Sequence, residues 1–313
     1  MSFRENADRA LEWFGRWPLW YSYALGGVVF GLSFWLWLST YYLGPAHVFW
    51  DMLANSLDTQ SVVVETDQKQ GNNTLKQLIQ TDTSQSVSRS ITTLNEDGAQ
   101  VQTEIIGTSK ADYTRYLKIT APKGKGSSGT VNTAGVLNVW ARSVDQAQTA
   151  TQTSGQQLYA QATLGVGLPV GSVPIPVGHM PASVRTAMLR QIQHEGLYDL
   201  GLNNVQKQYK NGHLVYIYSI KIQAILYVQM MQTFARELGL HELDQVDPNT
   251  YGNGHTLSAK IMVDAYSHQL VAVDTGQGVV QQYEGFGVPL HVSVPTSTIP
   301  VTELQQRLNN IKQ

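Results

Sequence analysis

No charged side chain stands between Arg16 and Asp51. Within that run, Leu19 to Leu38 reads LWYSYALGGVVFGLSFWLWL. At about 1.5 Å rise per residue, a helix of this length spans roughly 30 Å, the thickness of a hydrocarbon core. Backbone in lipid has to satisfy its own hydrogen bonds, so the run is predicted to be a helix. Trp13, Trp17, Trp20 and Tyr21 mark one end, and Trp35, Trp37, Tyr41 and Tyr42 the other. Aromatic clusters one membrane apart are the expected interfacial anchors. The expected organisation is a cytoplasmic juxtamembrane segment over 1–18, a transmembrane helix over 19–43 and an extracytoplasmic domain over 44–313.

The same run has to be weighed against a cleaved signal peptide. Its leading polar region carries Glu5, Asp8 and Glu12 beside Arg4, Arg9 and Arg16, and the segment STYYLGPAHVFW that follows offers no A-x-A-like site. These features favour an uncleaved anchor. The three leading arginines, against no Lys or Arg on the other flank before Lys69, predict the N-terminus in the cytoplasm and the bulk of the chain outside the cell membrane. Ser2 and Glu5 have capping-box spacing for a short helix before the anchor. Gly27-x-x-x-Gly31 has the small-xxx-small spacing that lets two membrane helices approach, which raises a homodimer; the plainer reading is a glycine-tolerant membrane helix.

Beyond the anchor, composition excludes more than it assigns. The formal net charge is -2, with 21 Lys+Arg against 23 Asp+Glu, so the chain lacks the basic surface that nucleic-acid binding requires. It contains no cysteine. Disulfides, thiolate zinc sites, cysteine-ligated iron–sulfur clusters and a lipidated N-terminal cysteine are therefore ruled out. Only 14% of residues are charged. Ser, Thr, Gln and Asn take up the difference.

The periodicity after the anchor changes twice. Pro45 to Leu57 reads as an amphipathic helix with Val48, Phe49, Met52, Leu53 and Leu57 on one face, open to continuing the membrane helix. Ser61–Glu65, Gln85–Leu94, Val101–Thr108 and Tyr113–Thr120 have strand texture, with Asn95-Glu96-Asp97-Gly98 as a hairpin turn. Val136–Arg142 is either a short strand or a helix start. Pro181 suits the first turn of a helix through Gln193 with Val184, Ala187, Met188 and Ile192 inward. Asn211-Gly212 joins Val205–Tyr209 to Leu214–Ile222 as a hairpin, and Tyr227, Met231, Phe234 and Leu238 form a core stripe on the next helix, closed by Gly239. Strands follow at Leu257–Val263, Leu270–Val273, Val279–Tyr283 and Leu290–Val294. Thr302 and Gln305 have capping-box spacing for a last helix carrying Leu304, Leu308 and Ile311. Successive hairpins without βαβ alternation predict an α+β domain built on an antiparallel sheet.

Two places suggest binding. The stretch LGVGLPVGSVPIPVGHMP, from Leu164 to Pro181, is apolar yet too rich in Gly and Pro for helix or central strand. It is either a lid over a ligand or a strap over one end of the core. Leu164, Val166, Leu168, Val170, Val173, Ile175 and Val177 are its candidate apolar contacts. Tyr216 and Tyr218 join them, because the strand that carries them is bulky on both faces.

The run Ile261–Pro295 ends in a pattern of its own: Val263-Asp264, Leu270-Val271, Phe286-Gly287-Val288-Pro289, then Val292–Pro295. This meander resembles the closing strands of LolA/LppX/LprG-like envelope lipoproteins. The resemblance implies a curved sheet, an incomplete barrel wrapped on helices, with an apolar cavity for acyl chains or a partner. The chain departs from those lipoproteins in having a membrane helix and no lipobox cysteine. A fixed tether suits local presentation of a ligand better than shuttling between membranes.

No catalytic constellation emerges. The histidines form neither H-E-x-x-H nor H-x-H, and neither G-x-S-x-G, S-x-x-K nor a P-loop is present. His194-Glu195 and His241-Glu242 are adjacent pairs near helix ends, where a solvated role is expected. Asp264 near His268 reads as the cap of a turn, against metal ligation. The expectation is a non-enzymatic, membrane-anchored protein without cofactor or metal, holding a lipid or other apolar ligand. The alternative is an envelope structural or protein–protein interaction module with no ligand cavity.

Overall fold

A computed structural model describes residues 19–120, 133–144, 157–164, 175–210, 212–241, 243–252, 254–276 and 279–311. The chain divides into two units, one ending at Val48 and the other beginning at Phe49.

The first unit contains helix α1, Leu19–Trp37. The stretch Tyr23–Tyr42 is the one described helix long and apolar enough to cross a membrane, and none of it is buried. Phe30, Phe34, Trp37 and Tyr41 follow one another at three- and four-residue spacing, and their rings stack with centroids 6.0 to 6.4 Å apart. After Trp37 the helix widens into a π-helical turn, Leu38–Tyr42, in which Leu43 N–H donates to the Leu38 carbonyl at 2.9 Å. Gly44 then allows a close turn: a Cβ there would lie 2.8 Å from the Thr40 carbonyl oxygen. Helix α2 starts afresh at Pro45 and runs to Ser56. The amphipathic helix, left open from sequence to continuing the first, is a separate one, since Pro45 has no N–H to extend the ladder.

The second unit is dominated by one sheet. Strands β1 (Ser61–Gln70), β2 (Asn73–Asp82), β3 (Val87–Glu96), β4 (Ala99–Thr108) and β5 (Ala111–Thr120) form an up-and-down meander. Their turns follow from local chemistry. Asp97 and Gly98 both have positive φ, 48° and 83°, as a two-residue hairpin requires. At the β2–β3 turn, Asp82 Oδ1 accepts from the Ser84 and Gln85 amides at 2.9 and 3.1 Å. Short β6 (Ala141–Val144) extends this meander, and helix α3 (Gln157–Leu164) and helix α4 (Ala182–Glu195) follow. Then come β7 (Tyr198–Asp199), β8 (Gln206–Lys210), β9 (His213–Gln223), helix α5 (Ala224–Glu237), β10 (Thr256–Asp264), β11 (Leu270–Asp274), β12 (Val279–Glu284), β13 (Ile299–Pro300) and helix α6 (Val301–Ile311).

The strand order is β13-β6-β5-β4-β3-β2-β1-β12-β11-β10-β9-β7, with β8 also on β9. All described pairs are antiparallel except β13 with β6. Two meanders thus meet at β1, which pairs with β2 on one side and with the distant β12 on the other. The result is the expected α+β architecture with an open, curved, mostly antiparallel sheet.

Helices identify the inner face of this sheet. Phe49 of α2 meets Tyr218 of β9 edge-on at 5.5 Å, and Tyr198 at the same distance. Cross-strand register carries the Tyr218 face through Ile261, Val273, Gln281, Thr66, Gln77 and Thr92. Gly107 of β4 lies on the same face, and a Cβ there would stand 2.7 Å from Leu158 Cβ of α3. Phe49, Met52, Leu53 and Leu57 are fully buried, together with Tyr218, Ile222 and Phe234. A smaller core at the far edge joins Val136, Ala141 and Leu304 with Tyr116, Ile119, Ile299, Leu308 and Ile311.

Several local expectations change. Strand β2 lacks the clean alternation that would have marked it and is an addition. Of Val136–Arg142, expected as a short strand or a helix start, only Ala141 and Arg142 belong to a strand, the start of β6. Pro181 precedes its helix, with extended ψ of 139°, and Ala187 faces solvent while Met188 and Ile192 are buried. Helix α6 begins at Val301, so Thr302 stands inside it. Leu290–Val294 is not a strand, and Val288 and Val294 are exposed. Both flanks of β12 are already occupied by β1 and β11, so the alternating residues have no sheet edge beside them to pair with.

Candidate ligand-binding face

The inner face over β1–β4 and β12 carries no Asp, Glu, Lys or Arg until the exposed hairpin tip at Glu96. Three rows cross it. Tyr283, Val64, Ile79, Ser90 and Ile105 form one; Gln281, Thr66, Gln77, Thr92 and Thr103 the next; Val279, Gln68, Leu75, Leu94 and Val101 the third. The outer face of the same strands holds the charges: Glu65, Asp67, Lys69, Lys76, Asp82, Arg89, Glu104 and Glu284.

The two ends of this face differ. At one end α3 closes it, through the close approach at Gly107 and the burial of Leu158 and Tyr159. Here Ser88 Oγ donates to Thr81 Oγ1 at 3.1 Å, so the polar groups satisfy one another. At the other end Leu75 and Val101 are half-buried and Leu94 is 39% exposed. We call this face the trough: it is closed at the α3 end by the packing at Gly107, buried along its middle row, and more exposed at the hairpin end.

Its middle row is polar and buried. Gln77 Nε2 donates to Ser90 Oγ at 3.2 Å, and Ser90 Oγ is 3.4 Å from Thr92 Oγ1. Tyr283 O–H donates to Gln281 Oε1 at 3.1 Å. Gln77 is 7% exposed, yet its Oε1 has no hydrogen-bond partner. Burial raises the Tyr283 phenol above its usual range, with Tyr227 adding to the effect, and burial does the same for Tyr198 and Tyr227. All three phenols are neutral hydrogen-bonding groups across the physiological range.

The buried charge outside, Glu104, is paired, and Lys76 lies 3.1 Å from Asp67. Glu104, its side chain 3% exposed, accepts from Arg89 Nε at 2.6 Å and from Arg115 Nε at 2.6 Å. Arg115 in turn lies 4.4 Å from the Trp140 ring centroid. Two guanidinium groups on one carboxylate offset its desolvation. His268 and His213 are also structural partners. His268 Nδ1 lies 3.0 Å from Asp51 Oδ2, and Asn55 Nδ2 donates to the His268 carbonyl at 3.0 Å, so α2 is tied to the β10–β11 turn. Asp264 caps that turn by accepting from the Tyr266 and Ser267 amides at 2.9 and 2.8 Å, and it meets His213 at 2.9 Å. Burial pushes the Asp264 carboxyl up, but the Ser267 and Tyr266 hydrogen bonds and the neighbouring His213 outweigh it and hold it below the usual range. Among the described residues no three His, Cys, Asp or Glu side chains gather as metal ligands.

The residues singled out from sequence are spread over this frame. Leu164 ends α3 and is buried, as are Ile175 and Val177. Gly178 N–H donates to the Ser56 carbonyl and Met180 N–H to that of Leu57, both at 2.9 Å, so this end of the Gly/Pro run is a strap across the end of α2. Val166, Leu168, Val170 and Val173 lie outside the described residues. Tyr216 and Tyr218 are buried on β9 with ring centroids 6.4 Å apart, and they are not brought to Leu164, whose helix rests on β2, β3 and β4. Trp20, Gly27, Gly31, Trp35 and Trp37 all lie on α1. A Cβ at Gly27 or Gly31 would meet nothing within 4 Å. Sequence reasoning missed Thr66, Gln77, Ser90, Gln281 and Gly107. None of these carried a local signal, since Gln77 sits on the same face as Leu75 and Ile79 while Leu78 faces out. A cleft between α4 and α5, lined by Met188, Ile192, Leu197 and Met230, measures about 140 Å³, too small for a whole lipid chain.

The chain matches no known protein family and no curated protein.

Proposed function

We propose that this is a membrane-anchored, non-enzymatic binding protein whose extracytoplasmic domain holds a lipid or other apolar chain in the trough over β1–β4, in the manner of a LolA/LppX-like half-barrel. The observation that carries the reading is the partition of charge: outer-face charges are numerous, while the inner face is free of them and closed at one end by α3. An acyl chain laid on such a face leaves water without stranding a charge. The helix Tyr23–Tyr42 supplies the anchor, and the arginines before it favour a cytoplasmic N-terminus.

Photolabelling of the full chain in nanodiscs with a lipid carrying a diazirine in its acyl chain tests the site. The expected labels fall on inner-face peptides of β1–β4 as well as on α1; labels confined to α1 would sink the reading. The absence of cysteine makes topology easy to test. In intact cells an impermeant maleimide is expected to label Ser109→Cys and to spare Ser2→Cys, and the reverse pattern would invert the orientation.

A further inference from the structure

Inside the trough, one group is left without a partner. Gln77 is held on the inner face by the β1 and β3 pairings, and its amide nitrogen is engaged by Ser90. Its carbonyl oxygen is buried and accepts nothing. A buried acceptor left unmade costs the full desolvation of that group. Were the amide turned over, Ser90 would serve the oxygen and the nitrogen would be stranded instead, so one end of the side chain lacks a partner in either assignment. Thr66 and Thr92 flank it in the same row, with apolar Ile79 and Leu75 on the rows to either side. A polar group bound here would therefore meet a hydrogen-bonding row at its middle and apolar surface both above and below.

Resting on the reading of the trough as an acyl-chain site, we infer that its ligand is an uncharged amphiphile whose hydroxyl or amide group hydrogen-bonds to the Gln77 side-chain amide. A phosphate or carboxylate does not fit. The inner face of these strands has no cation to receive it, and an unpaired charge in a buried site is far costlier than an unpaired amide. A chain with no polar group at all fits less well, because it leaves the Gln77 oxygen as it is.

The test compares three diazirine lipids in nanodiscs holding the full chain: a diacylglycerol, the same molecule with its hydroxyl acetylated, and a phosphatidylglycerol. Labelling of inner-face peptides of β1–β4 is read by mass spectrometry. Diacylglycerol is expected to label them about tenfold more than the acetylated form, the ratio that one hydrogen bond supplies, and phosphatidylglycerol less than either. In Gln77→Leu, and in the closer-shaped Gln77→Met, diacylglycerol labelling falls to the acetylated level while acetylated labelling stays. Equal labelling by the two neutral lipids in the parent protein, no change in either variant, or preferred labelling by phosphatidylglycerol would each overturn the inference and leave the trough standing. Absence of inner-face labelling by all three would overturn the trough itself.

Discussion

The inner face of the sheet is made of different material in its two halves. On β9 and β10 it is Tyr216, Tyr218, Ile220, Ala259 and Ile261, all buried, with Phe49 seated on Tyr218 and Tyr198. On β1–β3 Val62 and Ile79 alternate with Thr66, Gln77, Ser88 and Ser90, as deeply buried but hydroxyl or amide in kind. The first half is an apolar core, packed against Phe49 of α2. The second keeps polar groups under cover, including the unpaired Gln77 oxygen, which a core selected only for stability would replace with a hydrocarbon. The two halves thus differ in the chemistry they bury rather than in how deeply they bury it.

Mutations that exploit this contrast should differ in sign. The largest effect is expected at Phe49: Phe49→Ala removes a fully buried ring from the apolar half and is expected to cost about 3–5 kcal/mol in chemical denaturation of the full chain. A cost under about 1 kcal/mol would mean that this half is not a core packed against α2. Next comes the seal of the trough. Gly107→Ala drives a methyl into Leu158 and the Tyr159 backbone and is expected to cost about 1–3 kcal/mol by the same measurement, with faster hydrogen exchange in α3. Gln77→Leu should act the other way, raising the stability of ligand-free protein by about 1 kcal/mol, since it replaces an unsatisfied amide with an apolar side chain of similar size. A melting point lowered by this change would show that the polar half is also part of the structural core.

The smallest effect concerns pH. Asp264 is held below the ordinary aspartate range, so it binds protons less readily in the folded than in the unfolded chain. Its stabilisation is complete above the unfolded value of about 4 and is lost as pH falls through the lower folded value. Asp264→Asn is expected to lower the melting point at pH 7 and to flatten the acid limb below pH of about 4. Parallel limbs for the two proteins would remove Asp264 from the account.

How much of this was legible in the sequence differs by element. The α2 stripe at Phe49, Met52 and Leu53, the pairing of β8 with β9 and the alternation of Leu257 to Val263 read correctly because each carries its own period and punctuation. Strand β2 did not, because Leu78 faces out and Gln77 faces in, which blurs the alternation. Leu290–Val294 has the right alternation but no free edge to join. The strap was legible as a departure from regular structure, and its described end turns on hydrogen bonds to Ser56 and Leu57 that lie far away in sequence. The trough was invisible for the same reason: Gln281 neighbours Thr66 only because β12 returns to pair with β1.

Local chemistry along the chain carries part of this protein unaided. That includes a charge-free helix long enough for a bilayer, the turns, the amphipathic stripes and the absence of cysteine and of a catalytic motif. Tertiary structure alone decided which parity of each strand faces the helices, and with it the sorting of charge to one side. Strand parity is a property of one residue run, but the face it presents is set by long-range pairing. A shift of one residue in the β1–β12 register would exchange Thr66 and Gln77 for Asp67 and Lys76 on the inner face.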